Sequence, residues 1–281
     1  MTAVLRTAFD YFLFTSFFIA GCALLMVHQS HELLHLQFDL PAYLLFVFFS
    51  TICSYNFHWY LTPDAPSENY RVVWTQQHKI LHLVLAFAGF IGAAWYFFYF
   101  IQHWLWLGGA VVLTFLYSAP KVSVGPFAKL KKIAIGKTIF LAFVWTYVTT
   151  VLPVALGDKW DNASILFVMG RFFLVYAICI LFDYRDRDYD RKEGIRSMIT
   201  YFNETGINII FSISVLLYVA CSIALMQFGF GLWVIACLLV PAAILVALYP
   251  VAKKNFSDYL YYFVLDGLMM FSALLTAFLP F

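Results

Sequence analysis

Charge is scarce in this chain. Asp, Glu, Lys and Arg make up 11% of its 281 residues, 64% are hydrophobic, and the mean hydropathy is +0.85. No charged residue occurs between Lys79 and Lys121, or between Glu204 and Lys253. A soluble core cannot hide that much apolar surface, so a water-soluble globular protein is excluded. Cysteine is also sparse: Cys22, Cys53, Cys179, Cys221 and Cys237 all fall within apolar runs and lack paired spacing. They read as small packing residues, which argues against a disulfide framework or a cysteine metal site. No polar stretch is long enough for a separate soluble domain, and no short signal-type segment precedes the first apolar run. A single domain over residues 1–281 is therefore expected, and no nucleic-acid partner.

What is present is a series of hydrophobic runs. About nine reach the roughly 20 residues that a bilayer crossing requires. They lie near 8–27, 41–61, 80–100, 102–119, 138–156, 163–182, 205–227, 230–250 and 258–280, with a tight polar break at Gln102-His103 that suits a helical hairpin. An odd number of spans with the N-terminus inside puts Arg6, the 62–79, 120–137 and 183–204 loops, and Lys253-Lys254 on one side. Fifteen of the 17 basic residues then share that side, leaving Lys159 outside and Arg171 within a span. By the positive-inside rule this predicts an all-α polytopic membrane protein of nine transmembrane helices with a cytoplasmic N-terminus.

The exception to the apolar pattern is Asp183-Tyr-Arg-Asp186-Arg-Asp188-Tyr-Asp190-Arg-Lys-Glu-Gly194-Ile-Arg-Ser197. It directly follows the apolar run from Ile165 to Phe182. If the helix continues, Asp183, Asp186 and Asp190 share one face. Three carboxylates on one face repel each other unless a cation sits among them, and their oxygens suit Mg²⁺. The competing reading is a solvated loop whose four Arg and one Lys neutralise its own acids.

Other polar positions stand out against the same background. Asn56, Tyr60 and Asp64 have the spacing of a helical face at the end of the second run, although Pro63 disturbs the last turn. Arg71, His78 and Lys79 keep the following loop basic. Tyr117 is followed by Lys121 and then Lys129, Lys131, Lys132 and Lys137, which suit an anionic headgroup or a substrate diphosphate. His31-Glu32-Leu-Leu-His35 has the HExxH pattern of a zinc site, but it falls in the expected outer loop, opposite the acidic cluster. Arg171 is expected to snorkel to the outer surface. Asp266, the acid well inside a late span, is expected to pair with a neighbouring helix.

Three loops on one face carry a resemblance. The chain resembles the UbiA family of intramembrane prenyltransferases over nearly its whole length. Asp186-Arg-Asp-Tyr-Asp190 with Gly194 and Ser197 is similar to the family's later aspartate-rich motif, and Asp183 supplies the frequent preceding acid. Tyr117 and Lys121 match its YxxxK element, within an LYSAP stretch similar to the chlorophyll-synthase-like and quinone-pathway branches. The earlier motif, NxxxDxxxD, departs: Asn56 and Asp64 hold their places, while Tyr60 stands where the first carboxylate belongs. A phenol, which ionises only near about pH 10, is a poor Mg²⁺ ligand at neutral pH.

The resemblance implies a nine-helix bundle that transfers a prenyl group from a polyprenyl diphosphate to an aromatic or other lipophilic acceptor. Mg²⁺ would be held by Asp183, Asp186 and Asp190, with Asn56 and Asp64 opposite. Lys121, Tyr117, Arg71 and Asn56 would bind the diphosphate, with Asp186, Asp190, Lys121 and Tyr117 taken as catalytic. Trp145 or Tyr147 would face the allylic cation. The expected place is a bacterial inner membrane, with the active face cytoplasmic. Tyr60 motivates an alternative: a non-catalytic or repurposed relative that binds isoprenoid lipid. A transporter would instead call for clustered mid-span charges or paired broken helices.

Overall fold

A computed structural model describes residues 3–63, 69–118, 137–192 and 198–278. Among the described residues every regular element is helical. The first rod is bent: α1 (Ala3–Phe14) and α2 (Phe17–Leu33) meet at 56°, with Ser16 in the left-handed region at φ 72°. A bend inside an apolar rod frees backbone groups that lipid cannot satisfy. Here Asn56 of α3 (Leu40–Tyr60) donates its amide N–H to the Thr15 carbonyl at 3.0 Å and to Ile52 O at 2.8 Å. Its Oδ1 accepts from Nδ1 of His82, at 2.7 Å, in α5 (Lys79–Tyr99). One buried amide thus joins three rods at the break.

Between α3 and α5 lies the short helix α4 (Tyr70–Gln77), started by Asn69, whose side chain accepts from Val72 N. The expected hairpin forms as a 3₁₀ turn at Ile101–His103 leading into α6 (Trp104–Ser118). Helices α3 and α5 approach very closely. A Cβ on Gly89 would lie 2.6 Å from Cys53 N and 2.8 Å from Phe49 O, both backbone atoms of α3.

The next rod, α7 (Lys137–Thr146), passes through a π-helical turn at Tyr147–Val151 into α8 (Leu152–Leu156). Pro153 has no N–H for the Thr149 carbonyl, and Ser30 Oγ of α2 donates to that carbonyl instead, at 2.8 Å. Tyr43 of α3 does the same for Val148 O at 2.8 Å. Side chains from two neighbouring rods therefore hold the widened turn in place.

Helix α9 (Asn162–Lys192) has 31 residues and spans about 46 Å at 1.5 Å per residue. That exceeds a hydrocarbon core of about 30 Å, so its charged end continues past the apolar part without a break. After α10 (Met198–Tyr201) come α11 (Glu204–Ala224) and α12 (Leu232–Ala252). A second π-helical turn, Leu260–Leu265, precedes α13 (Asp266–Thr276). Among the described residues six helices are long and apolar enough to cross a membrane, or seven where the bent α1–α2 pair counts as one span. The remaining two expected spans correspond to α6 and to Leu260–Thr276, which are shorter. Large apolar side chains face outward, with Phe87 65% and Trp95 73% exposed, as lipid contact requires.

Two expectations change here. Arg171 does not snorkel: it is buried and donates from Nη2 to Gln29 Oε1 of α2 at 2.8 Å. The HExxH segment is not one helical face. Helix α2 ends at Leu33, His35 adopts φ 49°, and His31 Nδ1 turns to Glu32 Oε1 at 3.0 Å.

Gly89→Ala tests the close packing of α3 on α5. On helix propensity alone the change would stabilise by about 1 kcal/mol. A backbone clash makes it destabilising instead, by about 1–3 kcal/mol. A lower thermal midpoint in detergent is expected; a higher one would show that the two helices can part.

Candidate active site

The helix ends that carry the charged motifs converge at one end of the bundle. Arg71 of α4 is at their centre, 4% exposed. Its guanidinium carbon lies 4.2 Å from the Trp59 ring centroid at the end of α3 and 4.0 Å from that of Tyr262 before α13. Phe14 adds a third ring at 5.4 Å. Each such contact is worth about 0.5–2 kcal/mol. Three together offset much of the several kcal/mol that burying a cation costs. Burial still lowers the Arg71 pKa, opposed by the charges of Tyr262, Asp266 and Asp258. Among the described residues no acceptor reaches Arg71 Nε.

A second arginine supports the first. Arg185 of α9 donates from Nη2 to the Tyr262 hydroxyl at 2.9 Å and from Nε to Asp186 Oδ1 at 3.1 Å. Its Nη1 lies 3.7 Å from Asp258 Oδ1, too long for a hydrogen bond but close enough to attract. The other Asp258 oxygen accepts from the Arg71 backbone N–H at 2.9 Å. Arg71 and Arg185 thus share the Tyr262 ring and the Asp258 carboxylate. Around them, Tyr70 and Tyr259 both donate to Asp10 of α1, at 2.8 and 2.5 Å. The hydrogen bond to Asp10 raises the Tyr70 pKa.

The sequence-derived candidates divide among several settings. Asp183 is buried and accepts from the Thr138 hydroxyl at the start of α7. Asp186 is partly exposed beside Arg185. Helix α9 does continue through Asp190, whose side chain lies outside the described residues, as do Asp64 and Lys121. Tyr117, at the end of α6, stacks on His58 of α3 at 5.2 Å and 21°. Tyr60 is half-buried. Asn56, expected to face a metal or diphosphate, is instead fully buried in the bonds that close the α1–α2 break and presents no surface to a ligand.

The group that sequence reasoning missed is Arg185, Asp258, Tyr262 and Thr138. Arg185 lies between two of the acids, and Asp258 precedes Tyr262 by one helical turn. Neither position signals its partner, which comes from another helix. Among the described residues no three His, Cys, Asp or Glu side chains stand close enough to hold a metal. The expected Mg²⁺ set includes Asp64 and Asp190, whose side chains are not described. The donors that are described, Asp183 and Asp186, are hard oxygen ligands at the end of one helix, a type that fits Mg²⁺.

The model of the UbiA prenyltransferase family matches residues 70–273. This chain belongs to that family. No curated protein and no solved structure matches it. The UbiA match opens at Tyr70, at the start of α4, and so takes in Arg71, the α9 acids and Asp258 but leaves out α1 to α3. The first aspartate-rich motif, Asn56 to Asp64 with its departure at Tyr60, lies outside the matched residues.

Removing Asp258 should show which ion pairs matter. Arg185 and Asp258 are 8% and 7% exposed, whereas Glu204, which pairs with Arg187 and Lys253, is 50% exposed. Breaking a buried pair costs about 3–5 kcal/mol, and an exposed one about 0–1 kcal/mol. Asp258→Ala is therefore expected to lower the thermal midpoint well below that of Glu204→Ala. Equal effects would mean that water reaches the arginine pair.

Proposed function

We propose that this member of the UbiA family transfers a prenyl group from a polyprenyl diphosphate to an aromatic or other lipophilic acceptor, with Mg²⁺ required. The observation that carries this reading is the pair of buried guanidiniums, Arg71 and Arg185, held by aromatic rings at the end of α9 that bears the acidic motif. Arg71 offers a donor without an acceptor among the described residues, and planar guanidinium groups match phosphate oxygens. Tyr262 with Trp59 covers Arg71, and Tyr262 with Tyr261 covers Arg185, which keeps both cations out of bulk water, where an ion pair with a diphosphate would be much weaker.

In this reading Asp183, Asp186 and Asp190, with Asp64 opposite, hold the metal, and Asn56 keeps the α1–α2 break closed behind them. Bound there, Mg²⁺ would neutralise the leaving diphosphate and ease breaking of the C–O bond. Arg71, with Lys121 and Tyr117, orients the diphosphate oxygens. The apolar interior receives the isoprenoid tail. Trp145, whose indole N–H is held by Tyr55 Oη at 3.0 Å, offers a fixed aromatic face to an allylic cation. The concentration of Lys and Arg at this end supports a cytoplasmic active face.

Tyr60, where the motif places a carboxylate, and the buried Asn56 favour the second reading, a relative that binds isoprenoid diphosphate without turning it over. Diphosphate release from geranylgeranyl diphosphate separates the two, using purified protein in lipid with native membrane extract as the acceptor pool. Mg²⁺-dependent release is expected, falling roughly 100-fold or more in Asp186→Asn. Mg²⁺-dependent binding without release would support the second reading and make Tyr60→Asp the informative variant. Failure to bind would defeat both.

A further inference from the structure

The end of the bundle away from Arg71 holds a cavity of about 440 Å³. Asp39, which lines it, opens α3, and Trp59 of the clamp stands at the other end of that helix. The 21 residues of α3 put about 30 Å between the two, which matches the thickness of a hydrocarbon core. The cavity therefore lies at the level of the headgroups in the leaflet opposite the clamp. Exposed Tyr99 and Trp104 mark the same boundary, as aromatic residues do at membrane interfaces. This place is separate from the site above.

Its wall is short of positive charge. Among the described residues no Lys or Arg lines it, and Lys159, at the same end, gives its ammonium to the Leu34 carbonyl at 2.6 Å. The Asp39 carboxylate accepts from the Tyr99 hydroxyl at 2.6 Å and from the Ala42 N–H at 3.1 Å, both uncharged donors. These two bonds, that of Tyr99 foremost, hold the Asp39 pKa below its ordinary value. At neutral pH it is an anion with lone pairs to spare. Gln37 and Gln102 add a carbonyl oxygen each, and His103 a ring nitrogen. Phe38 and Phe100 also line the space, with the Tyr43 ring packed 5.5 and 6.0 Å from theirs. A single carboxylate is too few for a hard metal cation, and the volume is that of a small-molecule site. One uncompensated anion, several neutral acceptors and aromatic faces together match a cation that donates hydrogen bonds.

We propose that this cavity binds a primary ammonium group, carried by the headgroup of a phospholipid in that leaflet. The ammonium donates its N–H groups to Asp39 and to the acceptors of Gln37, Gln102 and His103, beside the rings of Phe38 and Phe100. The glutamine amide N–H groups supply donors for the adjoining phosphate. A trimethylammonium headgroup keeps the charge but has no N–H to give.

The test uses the full chain in detergent micelles, where a saturable rise of the thermal midpoint reports binding. Short-chain phosphatidylethanolamine is expected to bind about fivefold more tightly than phosphatidylcholine of the same chain length. Free ethanolamine should bind far more weakly than the lipid. Asp39→Asn removes the charge and keeps a side-chain acceptor for the Ala42 N–H. It should weaken phosphatidylethanolamine binding about fivefold, the scale of an exposed ion pair. Equal wild-type affinity for the two lipids, or unchanged phosphatidylethanolamine affinity in Asp39→Asn, overturns the proposal. Free ethanolamine binding as tightly as the lipid overturns the lipid as the source of the amine. Should the variant not fold, headgroups bearing one, two and three N-methyl groups decide on wild type. Affinity that falls with each N–H lost supports the site, and a flat series overturns it.

Discussion

The clamp on Arg71 is the contact from which the functional end of the bundle is built. A guanidinium sealed between Trp59 and Tyr262 has lost most of its water, and ring faces return only part of that loss. Carboxylates must therefore be close, and Asp258 is. Once Asp258 is buried it attracts a second cation, and Arg185 occupies that place while reaching Asp186 and the Tyr262 hydroxyl. The end of α3, the whole of α4, the end of α9 and the turn before α13 are positioned by this one chain of electrostatic consequences. The acidic motif thus projects from a helix whose end is anchored, not from a free loop.

Deeper in the bundle, shape depends on backbone groups that lipid cannot satisfy. The α1–α2 break and the π-helical turn at Tyr147–Val151 each expose carbonyls, and each finds a side-chain donor on another rod: Asn56 for Thr15, Ser30 for Thr149, Tyr43 for Val148. These polar residues lie in apolar stretches because the irregularity needs them there. Removing the donor would leave a buried acceptor open, at about 1–3 kcal/mol. The bends and their partners are thus one feature. A second π-helical turn, at Leu260–Leu265, leads directly into Asp266, which interacts electrostatically with Arg71.

The spans were legible because hydrophobic length is a local property, and a run such as residues 205–252 admits no other reading. The acidic stretch was legible for the same reason. The partners were not. Arg71 and Asp258 are 187 residues apart, and Arg171 and Gln29 are 142 apart. Periodicity within either segment carries no information about such a contact. Arg171 illustrates the cost: a charge off-centre in a span reads as snorkelling until a polar residue on another helix is seen to receive it. Asn56 illustrates the reverse. It falls on a metal-binding pattern, yet its amide closes a bend at Ser16 that no local composition announces. The HExxH pattern matched in letters, but the helix needed to align its two histidines stops before the second one.

The charges at the clamp also bear on what the Tyr60 substitution changes. Arg185 is paired with Asp186 and Asp258, and Arg71 is held by Trp59, Tyr262 and the Asp258 carboxylate. Neither set of contacts uses Tyr60. The phenol at position 60 therefore leaves the arginine clamp as it is, and its presence alone is not an argument that the site has lost its function.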